Sequence, residues 1–408
     1  MKQERKFPAA VVSTKAEASL RAGHPWVYDA EIRRLEKKPE NGGLIDAFSE
    51  KGAYLGTGFL SEKSKIRLRI LSQNANETFD DYFFARRVKY AIDYRKTVMG
   101  TDFECCRLIF GEADGLPGLT VDRYNGLLVT EVLSYGMERM KDSVYRALCG
   151  CLAESGVAVA GIYERNEASI RTLEGLPLYK GWYDGDFVPH PASPLTEITE
   201  NGILYAVDVE NGQKTGFFLD QKYNRLAVSK LAAGKKVLDC FTHTGSFALN
   251  AAKGGAESVT AVDVSESAVS MARANAERNG LLEKMDFLCA DVFELLPQLC
   301  QRRADYDFII LDPPAFTKSR KTLESAGRGY KEINYRAMKL LPRGGYLATC
   351  SCSHFMTEDL FRKMLLSAAR DAGVSLKLIE ARGQAPDHPV LLSVPETDYL
   401  KCFLFQVV

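Results

Sequence analysis

Between Lys236 and Ala372 the hydrophobic period switches repeatedly, from 2 to 3.6 and back, and few architectures tolerate that pattern. Short apolar runs at Lys236–Asp239, Ser258–Asp263, Met285–Leu288, Phe308–Leu311 and Tyr346–Cys350 read as strands. Helical patterns follow them at 245–253, 266–279, 292–301, 330–341 and 357–372, and Tyr399–Val407 reads as a last strand. Parallel neighbours need a crossover of this length, so the repeat specifies an α/β fold with a doubly wound, mostly parallel sheet.

In such sheets a ligand sits outside the carboxyl ends of the strands. The first strand ends at Asp239 and enters the loop Phe241-Thr242-His243-Thr244-Gly245. A single glycine there, without Gly-x-Gly-x-x-Gly, argues against a dinucleotide pyrophosphate. Asp239 suits a ligand bearing amino or hydroxyl donors, and Phe241, Thr242, Thr244 and Gly245 are candidate contacts. The second strand ends at Asp263, 24 residues on, where a carboxylate can accept both hydroxyls of a ribose. Asp291, after the third strand, can accept from an adenine amino group. One such acid is usually a helix cap. Three in register fit an adenosine ligand without phosphates, and S-adenosylmethionine is such a ligand.

The fourth strand leads into Asp312-Pro313-Pro314-Ala315-Phe316. The prolines fix φ and make a rigid turn that projects Asp312 into the same crevice, within reach of a nucleobase edge. The fifth leads into Thr349-Cys350-Ser351-Cys352-Ser353. Cys350 and Cys352 share one face of an extended segment. A lone cysteine is usually a small buried apolar residue, but a thiol at this strand end is a candidate nucleophile. Thiolate addition at carbon 6 of a pyrimidine makes carbon 5 reactive toward a sulfonium methyl.

Two further segments precede this one. Residues 1–72 hold short glycine-punctuated β runs, as in a small barrel, and carry 14 Lys and Arg against 9 Asp and Glu. That excess makes a plausible nucleic-acid surface, although the whole chain has 53 charges of each sign and so no uniformly basic coat. Residues 73–192 read as a small α+β module, and 193–408 as the α/β domain, opening with a hairpin over 203–219 turned at Asn211-Gly212. Asp220 is placed to cap the helix that follows. No run of 18 apolar residues and no apolar leader is present, so a cytoplasmic protein with reduced thiols is expected. Cys149 and Cys151 lack the spacing of a metal site.

Several stretches resemble one family, the S-adenosylmethionine-dependent 23S ribosomal RNA cytosine-5 methyltransferases with an N-terminal PUA domain. They are Arg21–Tyr28, Gly111–Leu119, Tyr163–Asn166, Lys214–Gln221, the Asp-Pro-Pro turn and Thr-Cys-Ser-Cys-Ser. The resemblance covers essentially the whole chain. It implies a Rossmann-like class I methyltransferase domain with a seven-stranded sheet, S-adenosylmethionine as cofactor with Gln221 among its contacts, ribosomal RNA as substrate and a homodimer. It also implies that Cys352, seven residues past Gly345, is the nucleophile, with Asp312 beside it. Many relatives carry a second cysteine after the fourth strand. Pro314-Ala315-Phe316 stands there in this chain, so the acceptor of the carbon-5 proton is left unassigned. Two other readings are an RNA methyltransferase acting on an exocyclic amine of guanine or adenine, and a non-catalytic RNA-binding ribosome assembly factor.

Overall fold

The computed structural model describes residues 7–37, 39–191, 193–317 and 320–408. The first six residues, expected to lack an apolar leader, lie outside that description. The chain forms two compact units. One takes in the residues up to Ile198, Val207–Leu219 and Pro386–Thr397, and the other Thr199–Ala206, Asp220–Ala385 and Asp398–Val408.

The first unit holds two sheets. The N-terminal one has six strands, in the order Trp26–Tyr28, Ile66–Ser72, Tyr54–Leu60, Leu44–Ser49, Ala9–Val12, Ile32–Leu35. Its core is Val12, Ala16, Leu20, Val27, Ile45, Leu60 and Leu68, all nearly inaccessible. Ala16 and Leu20 come from a helix, Thr14–Arg21, capped by Ser13 accepting from the Ala16 N–H at 3.3 Å. The other sheet has five strands, Tyr179–Trp182, Gly161–Asn166, Leu127–Val132, Leu119–Tyr124 and Cys105–Phe110, with helices Asp81–Met99 and Tyr135–Ala153. The two modules are packed tightly: a Cβ on Gly136 would fall 2.1 Å from the Phe59 ring. Arg69 also pairs with Glu174 at 2.8 Å in a nearly sealed contact.

The hairpin expected over 203–219 is misplaced. Its strands are Leu195–Glu200 and Ile203–Asp208, turned at Asn201-Gly202, both with positive φ (53° and 72°). The second Asn-Gly pair makes a local turn instead, because Asp208 Oδ1 accepts from the N–H groups of Glu210 and Asn211, each at 2.9 Å.

The second unit is a seven-stranded sheet: β1 Lys236–Cys240, β2 Ser258–Asp263, β3 Met285–Cys289, β4 Phe308–Leu311, β5 Tyr346–Ser351, β6 Leu376–Arg382 and β7 Lys401–Val407. The order is β3-β2-β1-β4-β5-β7-β6, parallel throughout except that β7 runs antiparallel to both neighbours. The order reverses direction between β1 and β4, which opens a crevice at their carboxyl ends. Leu238, Cys240, Ile309, Leu311 and Leu347 pack with Leu296, Ile333, Met338, Phe361 and Leu365 of helices α4 Val292–Arg302, α5 Leu323–Leu340 and α6 Glu358–Ala372. The alternate residue Asp239 points to the opposite face, toward α2 Ser246–Lys253. Helix α1, Lys222–Leu231, is not capped by Asp220 as expected. That carboxylate accepts from the Tyr399 hydroxyl at 2.6 Å instead, a partner 179 positions away that no local pattern announces.

Candidate active site

The strand order sets Asp291, Asp263, Asp239, Asp312 and Cys352 side by side along one edge, each just past or at the end of its strand. The loop after β1 is the most constrained piece. Phe241, His243 and Gly245 all have positive φ (67°, 50° and 83°), a conformation that costs free energy for the two non-glycines. What holds it is a set of backbone anchors. Thr242 N–H donates to Val262 O at 2.8 Å, and His243 N–H to Asp263 Oδ2 at 2.9 Å. Asp239 Oδ2 accepts from Thr242 Oγ1 at 2.6 Å and from Ala248 N–H, in the first turn of α2, at 2.9 Å.

The remaining acids are anchored in the same way. Asp263 Oδ1 accepts from the Ser265 N–H at 2.9 Å. Asp291 Oδ1 accepts from the Phe293 N–H at 2.8 Å, capping α4, and the residue is exposed. Asp312 Oδ1 accepts from Gln221 Nε2 at 2.9 Å, while Gln221 Oε1 accepts from Asn224 at 2.6 Å.

Two of the carboxylates, Asp239 and Asp312, are perturbed. Asp239 is fully inaccessible, and burial, helped by the charges of Asp312 and Asp263, pushes its carboxyl up to about 8. Burial and the nearby Asp220 push Asp312 up to about 7, although Arg225 and the Gln221 hydrogen bond oppose them. Arg225 is itself committed to Glu200 through two buried bonds of 2.6 and 2.8 Å.

Cys350 and Cys352 are separated by environment. Cys350 faces Cys402 across the β5–β7 ladder and is fully buried; burial first, then Cys402, pushes its thiol far above the ordinary range. It touches Asp312 and Gln221, so it packs beneath them. Cys352 lies one residue beyond β5 and is only partly buried. Ser351 and Ser353, its neighbours, are sealed and both bond the Tyr330 hydroxyl, at 3.1 and 3.0 Å.

Residues 182–406 match the S-adenosylmethionine-dependent methyltransferase family, and residues 11–73 match the PUA-like domain family. The chain belongs to the S-adenosylmethionine-dependent methyltransferases. It is 41% identical over 404 residues to a Klebsiella pneumoniae protein named ribosomal RNA large subunit methyltransferase I, covering 98% of this chain and 99% of that one. A protein of the same name from Photobacterium profundum is 43% identical over 390 residues, covering 95% and 96%. Among solved structures, a chain described as a SAM-dependent methyltransferase from Streptococcus mutans has TM-score 0.82 at 23% identity, over 98% of this chain and 99% of that one. A methyltransferase complexed with SAH has TM-score 0.84 at 23% identity, over the same shares. These two speak to the fold.

The methyltransferase crevice fits its cofactor's chemistry. Asp239 Oδ1, Asp220 Oδ1 and Thr244 Oγ1 are buried, and none has a hydrogen-bond partner among the described residues. Leaving such atoms unpaired is costly, and amino and hydroxyl donors of a ligand would satisfy them. Asp220 was not among the candidates read from the sequence, where it was expected to cap a helix. Lys401 was missed altogether. A lysine at the head of the apolar run Cys402-Phe403-Leu404-Phe405 was the one signal available.

Proposed function

We propose that this methyltransferase transfers a methyl group to carbon 5 of a cytosine in 23S ribosomal RNA through a covalent adduct with Cys352. The substrate class is supported by the names of the relatives and by the PUA-like domain. The observation that carries the chemistry is the contrast between the two cysteines. Cys350 is sealed with its thiol held protonated, whereas Cys352 stands partly open at the strand end beside that of Asp312.

Asp263 would hold the ribose hydroxyls and Asp291 the adenine amino group. Asp239, Thr244, Gln221 and Asp220 would meet the amino-acid end, with Phe241, Thr242 and Gly245 shaping the loop. The cofactor supplies an electrophilic methyl group. Cys352 Sγ, as thiolate, bonds carbon 6 of the flipped base, and the carbon-5–carbon-6 π pair makes carbon 5 the nucleophile. Once carbon 5 carries the methyl group, its proton leaves to a base. The electron pair left behind restores the double bond and expels the thiolate. Asp312, with its pKa near neutrality, can accept from the cytosine amino group or donate to ring N3.

Cys352→Ala should abolish methyl transfer and keep cofactor affinity, because the thiol meets the base. RNA containing 5-fluorocytosine should form a stable adduct with wild type and with Cys350→Ala, and none with Cys352→Ala. Bisulfite sequencing of ribosomal RNA from a deletion strain reads the base and its position. Near wild-type transfer by Cys352→Ala overturns the covalent reading in favour of an exocyclic-amine substrate.

A further inference from the structure

Strand β7 runs antiparallel to β5, so its first residue meets the last residue of β5: Lys401 stands opposite Ser351. The lysine is 6% exposed. Its Nζ donates to the carbonyl of Ser353 at 2.8 Å and to that of Tyr399 at 2.7 Å. Cys352 is therefore bracketed. The residue before it pairs with Lys401 in the ladder, and the residue after it is bonded by the Lys401 ammonium. These two bonds hold the ammonium against the turn.

Charges close to this ammonium come from three elements. They are Cys352 after β5, Asp398 before β7 and Glu358 at the head of α6. Tyr330, on α5, reaches the same turn through its hydroxyl. Burial pushes the lysine down to about 8, and the largest opposing influence is the Cys352 thiolate. A buried cation on a strand that otherwise packs apolar side chains is expensive to keep unless it serves a charge beside it.

We infer that Lys401 is a positioning residue that fixes the turn around Cys352 and stabilises its thiolate. The inference rests on the reading of Cys352 as nucleophile. At neutral pH Lys401 already carries its proton, so the Cys352 Sγ proton passes to solvent water and the ammonium stabilises the thiolate left behind. Tyr330, Ser351 and Ser353 are neutral, and the remaining titratable side chain of the turn, His354, is exposed to solvent. An ordinary thiol is only a few per cent ionised at pH 7, so a neighbouring cation raises the reactive fraction directly.

The test is the pH dependence of iodoacetamide alkylation of the full-length protein, read at the Cys352 peptide by mass spectrometry. Wild type should show its midpoint below about 8.5, the ordinary thiol value. Lys401→Met should move that midpoint up by at least one pH unit, slowing alkylation at pH 7 about tenfold. Lys401→Arg, which keeps the cation, should restore most of the rate. A wild-type midpoint at or above the ordinary value overturns the inference without any variant, and so does an unmoved midpoint in a Lys401→Met protein that still binds S-adenosylmethionine. The thiol titration does not depend on methyl transfer. If Cys352→Ala methylates RNA while the titration behaves as stated, the covalent reading fails and the lysine–thiolate pair stands.

Discussion

Replacing Asp239 by Asn should make the protein more stable and a worse binder, with a pH signature that identifies the cause. Asp239 is fully buried, and its carboxyl is pushed from the ordinary 3.8 up to about 8. Below about pH 4 both the folded and the unfolded chain carry this group protonated. Between about pH 4 and 8 the unfolded chain releases a proton that the folded chain keeps, so wild-type stability falls as pH rises. Each pKa unit of displacement is worth about 1.4 kcal/mol, so at pH 7 the cost is on the order of 4 kcal/mol as a ceiling. Asn is neutral at every pH and has the same shape. Its Oδ1 can take over the donors Thr242 Oγ1 and Ala248 N–H, and its Nδ2 then occupies the place of the unpaired Oδ1.

The stability gain should be small near pH 4, grow with pH and level off above about 8. At roughly 2–4 °C per kcal/mol, melting at pH 8 should rise by several degrees. Scanning calorimetry of the ligand-free protein between pH 4 and 9 measures this. Titration calorimetry should show S-adenosylmethionine binding weakened by on the order of 1.5–3 kcal/mol, because Asp239 can give up its proton to a cationic ligand and accept from it as a carboxylate, whereas Asn stays neutral. A melting difference that does not change with pH would refute the burial argument. Unchanged cofactor affinity would refute the placement of Asp239 at the ligand.

The two perturbed acids predict a second effect: a sulfonium cation beside Asp239 and Asp312 should lower their raised pKa values. Binding near pH 7 should then release protons, seen as a binding enthalpy that varies with the buffer's ionisation enthalpy, and the neutral product S-adenosylhomocysteine should release fewer. Gly245→Ala should cost about 1–3 kcal/mol, because φ is +83° and the new Cβ would stand 2.9 Å from Ala272 Cβ; an unchanged melting temperature would show that the loop relaxes freely. Charge reversal at the exposed Lys37, Lys51 and Lys65 should weaken RNA binding and reduce its salt slope by roughly 0.7–0.9 per lost phosphate contact. Identical slopes for wild type and variant would place the RNA elsewhere.

The α/β sheet was legible because six of its strands carry their own period and the first four lead to an acid. The strand-end positions of Asp239, Asp263, Asp291 and Asp312 depend only on local sequence, and the chain order of βα units sets them side by side. What local sequence could not supply was choice between equals. Two Asn-Gly pairs lie ten residues apart, and only the one with both residues at positive φ turns the hairpin. The helix Thr14–Arg21 was missed, although Ser13 as cap and the apolar pair Ala16 and Leu20 were there to be read. Strand β6 was missed too, because its side chains are mostly half or fully exposed and carry little period.

The two cysteines show most clearly where sequence reading ends. Periodicity puts Cys350 and Cys352 on one face and treats them alike. The difference between them comes from β7, about fifty residues later, which crosses back antiparallel to lie against β5. Its Cys402 closes over Cys350, and its Lys401 reaches the turn that holds Cys352. One strand thus seals the first thiol in an apolar ladder, where ionisation is penalised, and brings a buried lysine to the turn that holds the second. A parallel last strand would bring its carboxyl end to this edge, and Lys401 would lie at the far side of the sheet. The reversal of that one strand is therefore what ties the topology of the sheet to the chemistry at its edge.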